Sequence, residues 1–124
     1  MPALTCIALA VYFEARSEPI AIQQMVADVV LNRVEDKRYP NDVCAVVWEP
    51  KQFSWTHDGK SDIPRNRKAW VTAQAVARDS VEREQRFQAT HYLNQGVNRQ
   101  WEHAFAYMGA FGAFDWYYND TKYR

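Results

Sequence analysis

The chain has 124 residues, which is the usual size of one domain that buries a core of its own. Lys and Arg together number 15, as do Asp and Glu, and the resulting formal charge of zero argues against bulk nucleic acid or an anionic membrane surface as the main partner. No run of about 18 apolar residues is present, so we expect no stable insertion into a membrane.

Three long segments and one short segment carry apolar residues at helical spacing. In chain order we predict helices over about residues 3–16, 19–34 and 67–85. A short helix lies between the second and the third of these, and either Asn41 or Asp42 can cap its first turn.

The remaining segments are predicted to be mostly extended or irregular. Residues 52–56 alternate in polarity, which indicates one strand or an extended loop. In the tail after residue 87 we predict a helix around 98–108 and irregular structure elsewhere. The expected fold class is α+β, predominantly α-helical, in a single domain of residues 1–124 with a small β or extended segment.

The cysteines and histidines favour no metal chemistry. Cys6 and Cys44 are too few for a disulfide scaffold or a four-cysteine zinc site, and one disulfide and two buried thiols both remain open. The three histidines, His57, His91 and His103, belong to no zinc-binding motif. We therefore predict that the chain uses no metal and no cofactor.

Glu14 stands out within the first predicted helix. On a helical wheel it projects within about 20° of Ile7, at the edge of the apolar stripe and one turn beyond Val11. A carboxyl placed against apolar surface is desolvated, which raises its pKa and lets it donate a proton near neutral pH. The alternative is a glutamate whose carboxylate reaches solvent or pairs with Arg16 or Arg33.

Several motifs follow one another along the chain: CIALAVYFEARSEP at 6–19, VVLNRV at 29–34, YPNDVCAVV at 39–47, QFSW at 52–55 and ATHY at 89–92. Together they resemble the SleB-type cell wall hydrolases, the spore cortex-lytic enzyme family. The resemblance implies a lysozyme-like, mainly helical domain that cleaves the glycan strands of peptidoglycan. It also implies that Glu14 is the catalytic acid. Ser17 stands where the family has glycine, and the tail lacks the histidine of the family's usual ending.

Aromatic side chains and their neighbours are the candidates for binding the glycan. Aromatic residues make up 15% of the chain, and the faces of Trp and Tyr stack well on sugars. Ser54 can hydrogen-bond the saccharide or Glu14, and Tyr92 can orient the sugar or stabilise charge at the anomeric carbon. The predicted substrate-binding residues are Phe53, Ser54, Trp55, His91, Tyr92 and Trp101. The alternatives are core positions for the rings at 53 and 55 and a structural role for the histidine at 91.

The reaction depends on whether a second carboxylate assists Glu14. Glu18, Asp28, Asp58 and Asp62 are available, but no pattern singles one out, and Glu18 is expected to be a capping or loop carboxylate. A lytic transglycosylase needs only one glutamic acid, and the family resemblance favours cleavage of the MurNAc–GlcNAc bond by that route. The alternatives are a hydrolytic muramidase, an N-acetylmuramoyl-alanine amidase and a non-catalytic glycan-binding module.

The expected partner is the glycan strand of peptidoglycan, bound by a monomer, with no nucleic acid involved. The sequence carries no export signal, although peptidoglycan lies outside the cytoplasmic membrane. We therefore expect a phage endolysin, made in the host cytoplasm and released to the cell wall, because Met1 directly precedes the motifs. An exported cell-wall enzyme is the alternative.

Overall fold

The structure, a computed structural model, describes residues 1–49, 53–97 and 104–121. Its helices are α1 (Ala3–Ala15), α2 (Ile20–Glu35), α3 (Val43–Val47) and α4 (Arg67–Glu82), and a 3₁₀ turn covers Ser54–His57. Strands β1 (His91–Asn94), β2 (Ala106–Phe111) and β3 (Phe114–Tyr118) form an antiparallel sheet in the order β1-β3-β2. The predicted α+β class is confirmed, and the three long helices end within three residues of their predicted positions.

Helix α1 is the centre of the core, because it is apolar on all sides and packs against α2, α3 and α4. Eight of its 13 residues are buried: Cys6, Ile7, Ala8, Leu9, Ala10, Val11, Tyr12 and Ala15. The single apolar stripe predicted for this helix is therefore only part of its buried surface. Leu4, in the first turn of the helix, is 40% exposed. None of the helices in the described ranges is long and apolar enough to cross a bilayer.

A helix cap and a disulfide bond decide two alternatives that the sequence left open. The side chain of Asp42 accepts a hydrogen bond from the backbone N–H of Ala45 at 3.0 Å, so Asp42 is the residue that caps α3. Cys6 and Cys44 form a disulfide, which ties α1 to α3 across 38 positions of sequence.

The structure corrects three predicted segments. The tail after residue 87, predicted to be irregular outside its helix, contains strands β1 and β3. Residues 106–108, predicted as helical, belong to β2, and the part of that predicted helix at 98–103 lies outside the described residues. The segment 52–56, predicted as one strand or an extended loop, forms a 3₁₀ turn over Ser54–His57. The turn forms because the N–H and hydroxyl of Thr56 both donate to the carbonyl of Phe53, at 3.1 and 2.7 Å.

The β2–β3 hairpin is fastened to the connection between α1 and α2. A carboxylate oxygen of Glu18 accepts a hydrogen bond from the backbone N–H of Ala113 at 2.8 Å. Gly112 has φ +60°, and a Cβ there would lie 2.6 Å from that oxygen and 2.8 Å from Ile22. Glu18 therefore serves as a loop carboxylate that holds the sheet beside the end of α1.

Candidate active site

Glu14 lies in the last turn of α1, where the central helix reaches the edge of the core. Its side chain is half-buried. Desolvation by this burial raises the pKa of Glu14 from 4.5 to about 7, and the hydroxyl of Tyr92 partly offsets the rise. The desolvation predicted from the helical wheel is present. Its cause is the burial of α1 on all sides, and no pairing of Glu14 with Arg16 or Arg33 contributes to its pKa.

Tyr92 brings β1 against the end of α1. Its ring packs against Trp116 and Phe114, with centroids 4.9 and 5.1 Å away, and its hydroxyl is fully enclosed. Burial and the Glu14 carboxylate raise the pKa of the Tyr92 phenol well above 10, so the hydroxyl stays protonated. The hydroxyl interacts with Glu14 but lacks a partner at regular hydrogen-bond geometry in the described part of the chain.

A cluster of aromatic rings packs around Phe13, the residue that precedes Glu14 on α1. Phe13 stacks on Trp55 with ring centroids 4.8 Å apart, and the edge of Trp48 meets Trp55 at 5.3 Å. Trp55 is 7% exposed, and its indole N–H has no hydrogen-bond partner among the described residues. Trp55 is thus a core ring that also carries an unsatisfied donor beside the helix turn bearing Glu14.

The other predicted binding residues lie in different surroundings. Phe53 is 2% exposed and belongs to the core, whereas Ser54 is exposed in the 3₁₀ turn. His91 precedes Tyr92 on β1 and therefore points to the opposite face of the sheet. Trp101 lies outside the described residues. The structure thus brings Tyr92 to Glu14 and Trp55 to Phe13, the neighbour of Glu14 on α1, and it places the ring of Phe53 in the core and that of His91 on the opposite face of the sheet.

His91 has a packed rather than an open environment. Its ring lies 4.5 Å from that of Phe105 and 6.2 Å from that of Tyr39, and its Nδ1 is 3.0 Å from the hydroxyl of Thr90. Burial, with the nearby charge of Arg33, lowers the pKa of His91 to about 3, so the imidazole is neutral at physiological pH. This arrangement matches the structural role that the sequence left as the alternative.

Two of the carboxylates considered as a second acid are engaged elsewhere. Asp28 is 1% exposed and forms an ion pair of 2.7 Å with Arg83, and it also accepts from the backbone N–H of Phe87 at 3.1 Å. Asp58 accepts from the N–H of Lys60 at 2.9 Å. Within the described ranges, no group of three or more His, Cys, Asp or Glu side chains is arranged to hold a metal ion.

The known proteins similar to this chain point to one family. A family model described as Cell Wall Hydrolase matches residues 17–120. The chain belongs to the Cell Wall Hydrolase family. This confirms the resemblance drawn from the motifs, and it confirms at the level of the family that the chain is an enzyme. The matched range begins after Glu14, so the family model does not itself assign that carboxyl a role.

Sequence relatives of this cell wall hydrolase include two spore cortex-lytic enzymes. The enzyme of Bacillus cereus is 43% identical over 60 residues, which are 48% of this chain and 23% of that enzyme. The enzyme of Bacillus subtilis is 41% identical over 63 residues, which are 51% of this chain and 21% of that enzyme. The aligned part of this chain therefore spans less than a quarter of either relative.

Two solved structures have the same fold. One is the catalytic domain of the germination-specific lytic transglycosylase SleB from Bacillus anthracis, with a TM-score of 0.77, 29% identity and coverage of 93% of both chains. The other is the catalytic domain of the Bacillus cereus SleB protein, with a TM-score of 0.78, 29% identity and coverage of 93% of this chain and 88% of that one. The predicted lysozyme-like fold is confirmed.

Two polar residues of this cell wall hydrolase that were not predicted as functional hold the segment before β1 in place. Asn32 and Arg33 are buried in α2 and hydrogen-bond the carbonyls of the chain segment that leads into Tyr92. The available signal was their position within the apolar pattern of α2, because a buried polar side chain needs a specific partner.

Proposed function

We propose that this cell wall hydrolase cleaves the bond between N-acetylmuramic acid and N-acetylglucosamine in peptidoglycan as a lytic transglycosylase, with Glu14 as the acid and then the base. The observation that carries the proposal is the half-buried Glu14, with its pKa raised to about 7, beside Tyr92 in a fold shared with a lytic transglycosylase. An acid with a pKa near the working pH is well suited to both steps.

The first step is proton donation. At pH 7 a glutamic acid with the ordinary pKa of 4.5 is protonated in about 0.3% of molecules, whereas about half of the Glu14 side chains carry the proton. The proton goes to the bridging glycosidic oxygen, the bond from that oxygen to the muramyl anomeric carbon breaks, and positive charge develops at that carbon. The N-acetylglucosamine product leaves with a hydroxyl group.

The second step regenerates the acid. The Glu14 carboxylate takes the proton of the muramyl C6 hydroxyl, and the C6 oxygen bonds to the anomeric carbon to close a 1,6-anhydro ring. Tyr92 can donate a hydrogen bond to the carboxylate between the two steps, because its hydroxyl stays protonated and interacts with Glu14. No second carboxylate is needed, in keeping with the structural contacts of Asp28 and Asp58.

An unsatisfied buried donor supports a polar ligand in this place. Buried N–H groups are nearly always hydrogen-bonded, yet the indole N–H of Trp55, which stacks on Phe13 beside Glu14 in the sequence, has no partner among the described residues. Saccharide hydroxyl and acetamido oxygens are acceptors for such donors. Exposed Ser54 adds a hydroxyl next to Trp55.

The products of purified peptidoglycan test the proposal. Digestion by this enzyme is expected to release muropeptides that end in 1,6-anhydromuramic acid, identified by mass spectrometry before and after borohydride reduction. Anhydro ends resist reduction, whereas the ends made by hydrolysis gain two hydrogens. Reducible muramic ends would show a muramidase, and free peptides would show the amidase alternative; either result contradicts the transglycosylase proposal.

The pH dependence of kcat/KM is expected to follow the protonation of Glu14. Activity should fall as pH rises through about 7, because the acid form is lost. In Tyr92→Phe this fall should move to higher pH, since the Tyr92 hydroxyl lowers the pKa of Glu14, and kcat should drop about tenfold.

The control for that experiment is Tyr107→Phe. Tyr107 is 58% exposed, and its hydroxyl donates to Asp115 at 3.2 Å on the face of the sheet opposite Tyr92. This variant should keep the wild-type pH profile. An identical profile in the Tyr92→Phe variant and the wild type would show that the Tyr92 hydroxyl does not act on Glu14.

The proposed substrate, peptidoglycan, lies outside the cytoplasmic membrane, so the enzyme has to reach the cell wall. We propose that the enzyme acts there, either exported, as fits its spore cortex-lytic relatives, or released as an endolysin when the host membrane is permeabilised. Expression in the bacterial cytoplasm separates the two routes. An endolysin leaves the cells intact until the membrane is opened, and lysis then follows at once.

A further inference from the structure

Buried polar side chains of α2 hydrogen-bond the backbone of the extended segment that leads into β1. Asp28, Asn32 and Arg33 are 1%, 9% and 5% exposed. The Asn32 amide donates to the carbonyls of Phe87 and Ala89, both at 2.8 Å. Arg33 hydrogen-bonds Thr90, the residue directly before the first residue of β1.

Thr90 is hydrogen-bonded by α2 and by the end of β3. The Nε–H of Arg33 in α2 donates to the Thr90 carbonyl at 2.8 Å. The carbonyl of Tyr117 in β3 accepts from the Thr90 N–H at 2.9 Å, and the N–H of Asn119, just after β3, donates to the Thr90 hydroxyl at 2.8 Å. Tyr92 lies two residues further on, so it projects to the same face of the chain as Thr90.

The guanidinium of Arg33 also acts on Tyr92 through its charge. Its positive charge lowers the otherwise raised pKa of the Tyr92 phenol, the group that interacts with Glu14. The guanidinium lies over the ring of Tyr39, 5.2 Å from its centroid, and Glu49 contributes a compensating negative charge. A planar cation with directed N–H groups fits this place better than an ammonium.

We propose that Arg33 is a positioning residue for glycan cleavage, which holds the start of β1 so that the Tyr92 hydroxyl faces the Glu14 carboxyl. This proposal rests on the proposed function. Arg33 touches neither the glycan nor Glu14 in this scheme, and its whole effect on turnover passes through Tyr92.

A double-mutant cycle between Arg33 and Tyr92 tests the proposal. Arg33→Gln and Tyr92→Phe are each expected to lower kcat about tenfold, with KM changed less than twofold. Because both act on one contact, the double variant should also lose about tenfold rather than a hundredfold. Arg33→Lys, which keeps the charge, should recover part of the loss, and it replaces Arg33→Gln in the cycle if that variant does not fold.

Arg83→Gln is the control, because the contacts of Arg83 are with Asp28, Asp79 and the carbonyl of Gln85 rather than with Thr90 or Tyr92. It should lower the melting temperature as Arg33→Gln does, and its loss of kcat should multiply with that of Tyr92→Phe. If the losses of kcat caused by Arg33→Gln and by Tyr92→Phe multiply in the double variant, then Arg33 only stabilises the fold. Wild-type enzyme that releases no muropeptides would instead contradict the proposed function itself.

Discussion

Glu14→Gln is expected to lower kcat for peptidoglycan cleavage by about a thousandfold. Glutamine keeps the size and hydrogen-bonding capacity of the side chain but has no proton to donate to the glycosidic oxygen, and general acid catalysis of this kind contributes factors of about 10² to 10⁴. Turnover is measured by the release of soluble muropeptides. Binding of the variant to insoluble peptidoglycan should stay at the wild-type level.

The matched control is Glu82→Gln, at the exposed end of α4, which should leave turnover unchanged. The same experiment separates an enzyme from a glycan-binding module. A module would show no turnover in the wild type and unaltered binding in both variants. Full turnover in the Glu14→Gln variant would remove Glu14 from the mechanism.

The stability of the Glu14→Gln variant should depend on pH in a defined direction. The pKa of Glu14 is higher in the folded chain than the ordinary 4.5, so its contribution to the free energy of unfolding is full below pH 4.5 and is lost as pH rises through about 7. Glutamine does not titrate. At pH 8 the variant should therefore be more stable than the wild type by about 1–3 kcal/mol.

Removal of the Cys6–Cys44 disulfide is expected to have the largest effect on stability. The bond closes a loop of 38 positions, and loss of such a constraint on the unfolded chain costs about 4 kcal/mol. For a domain of this size that corresponds to a fall in melting temperature of about 15 °C. The double variant Cys6→Ala, Cys44→Ser tests this by thermal unfolding under oxidising conditions.

Reductant provides the control for the disulfide. Wild-type protein unfolded and refolded with dithiothreitol should melt near the temperature of the double variant, whereas the variant itself should not respond to dithiothreitol. Equal melting temperatures of oxidised and reduced wild type would show that the bond does not stabilise the domain.

The helices of this domain were predictable because their signals are local. Residues three and four apart define a helical face, and an aspartate such as Asp42 caps the turn that directly follows it. The sheet was not predictable in the same way. Strand β3 lies between β1 and β2, and the distant Glu18 and Ile22 leave no room for a Cβ at position 112, where Gly112 has a left-handed backbone.

The residues of the candidate site likewise differ in whether a local signal in the sequence could identify them. Glu14 was identified from its helical position and from the motif around it. Its partner could not be assigned from spacing, because Tyr92 lies on β1, far from Glu14 in sequence, and the two meet only in the packed domain. Trp101 was predicted to bind substrate, and that stays a prediction. The environment of His91, between two rings and near Arg33, was likewise decided by packing.

The sequence by itself determined the helical segments, the family motifs and Glu14 as the candidate acid. Only the tertiary structure decided that α1 is buried on all sides, that Cys6 bonds to Cys44, and that Tyr92 faces Glu14. The physical reason is the range of the interactions. Helices follow from hydrogen bonds and apolar spacing within one turn, whereas a desolvated carboxyl and its hydroxyl partner depend on contacts between distant segments, which form only when the core packs.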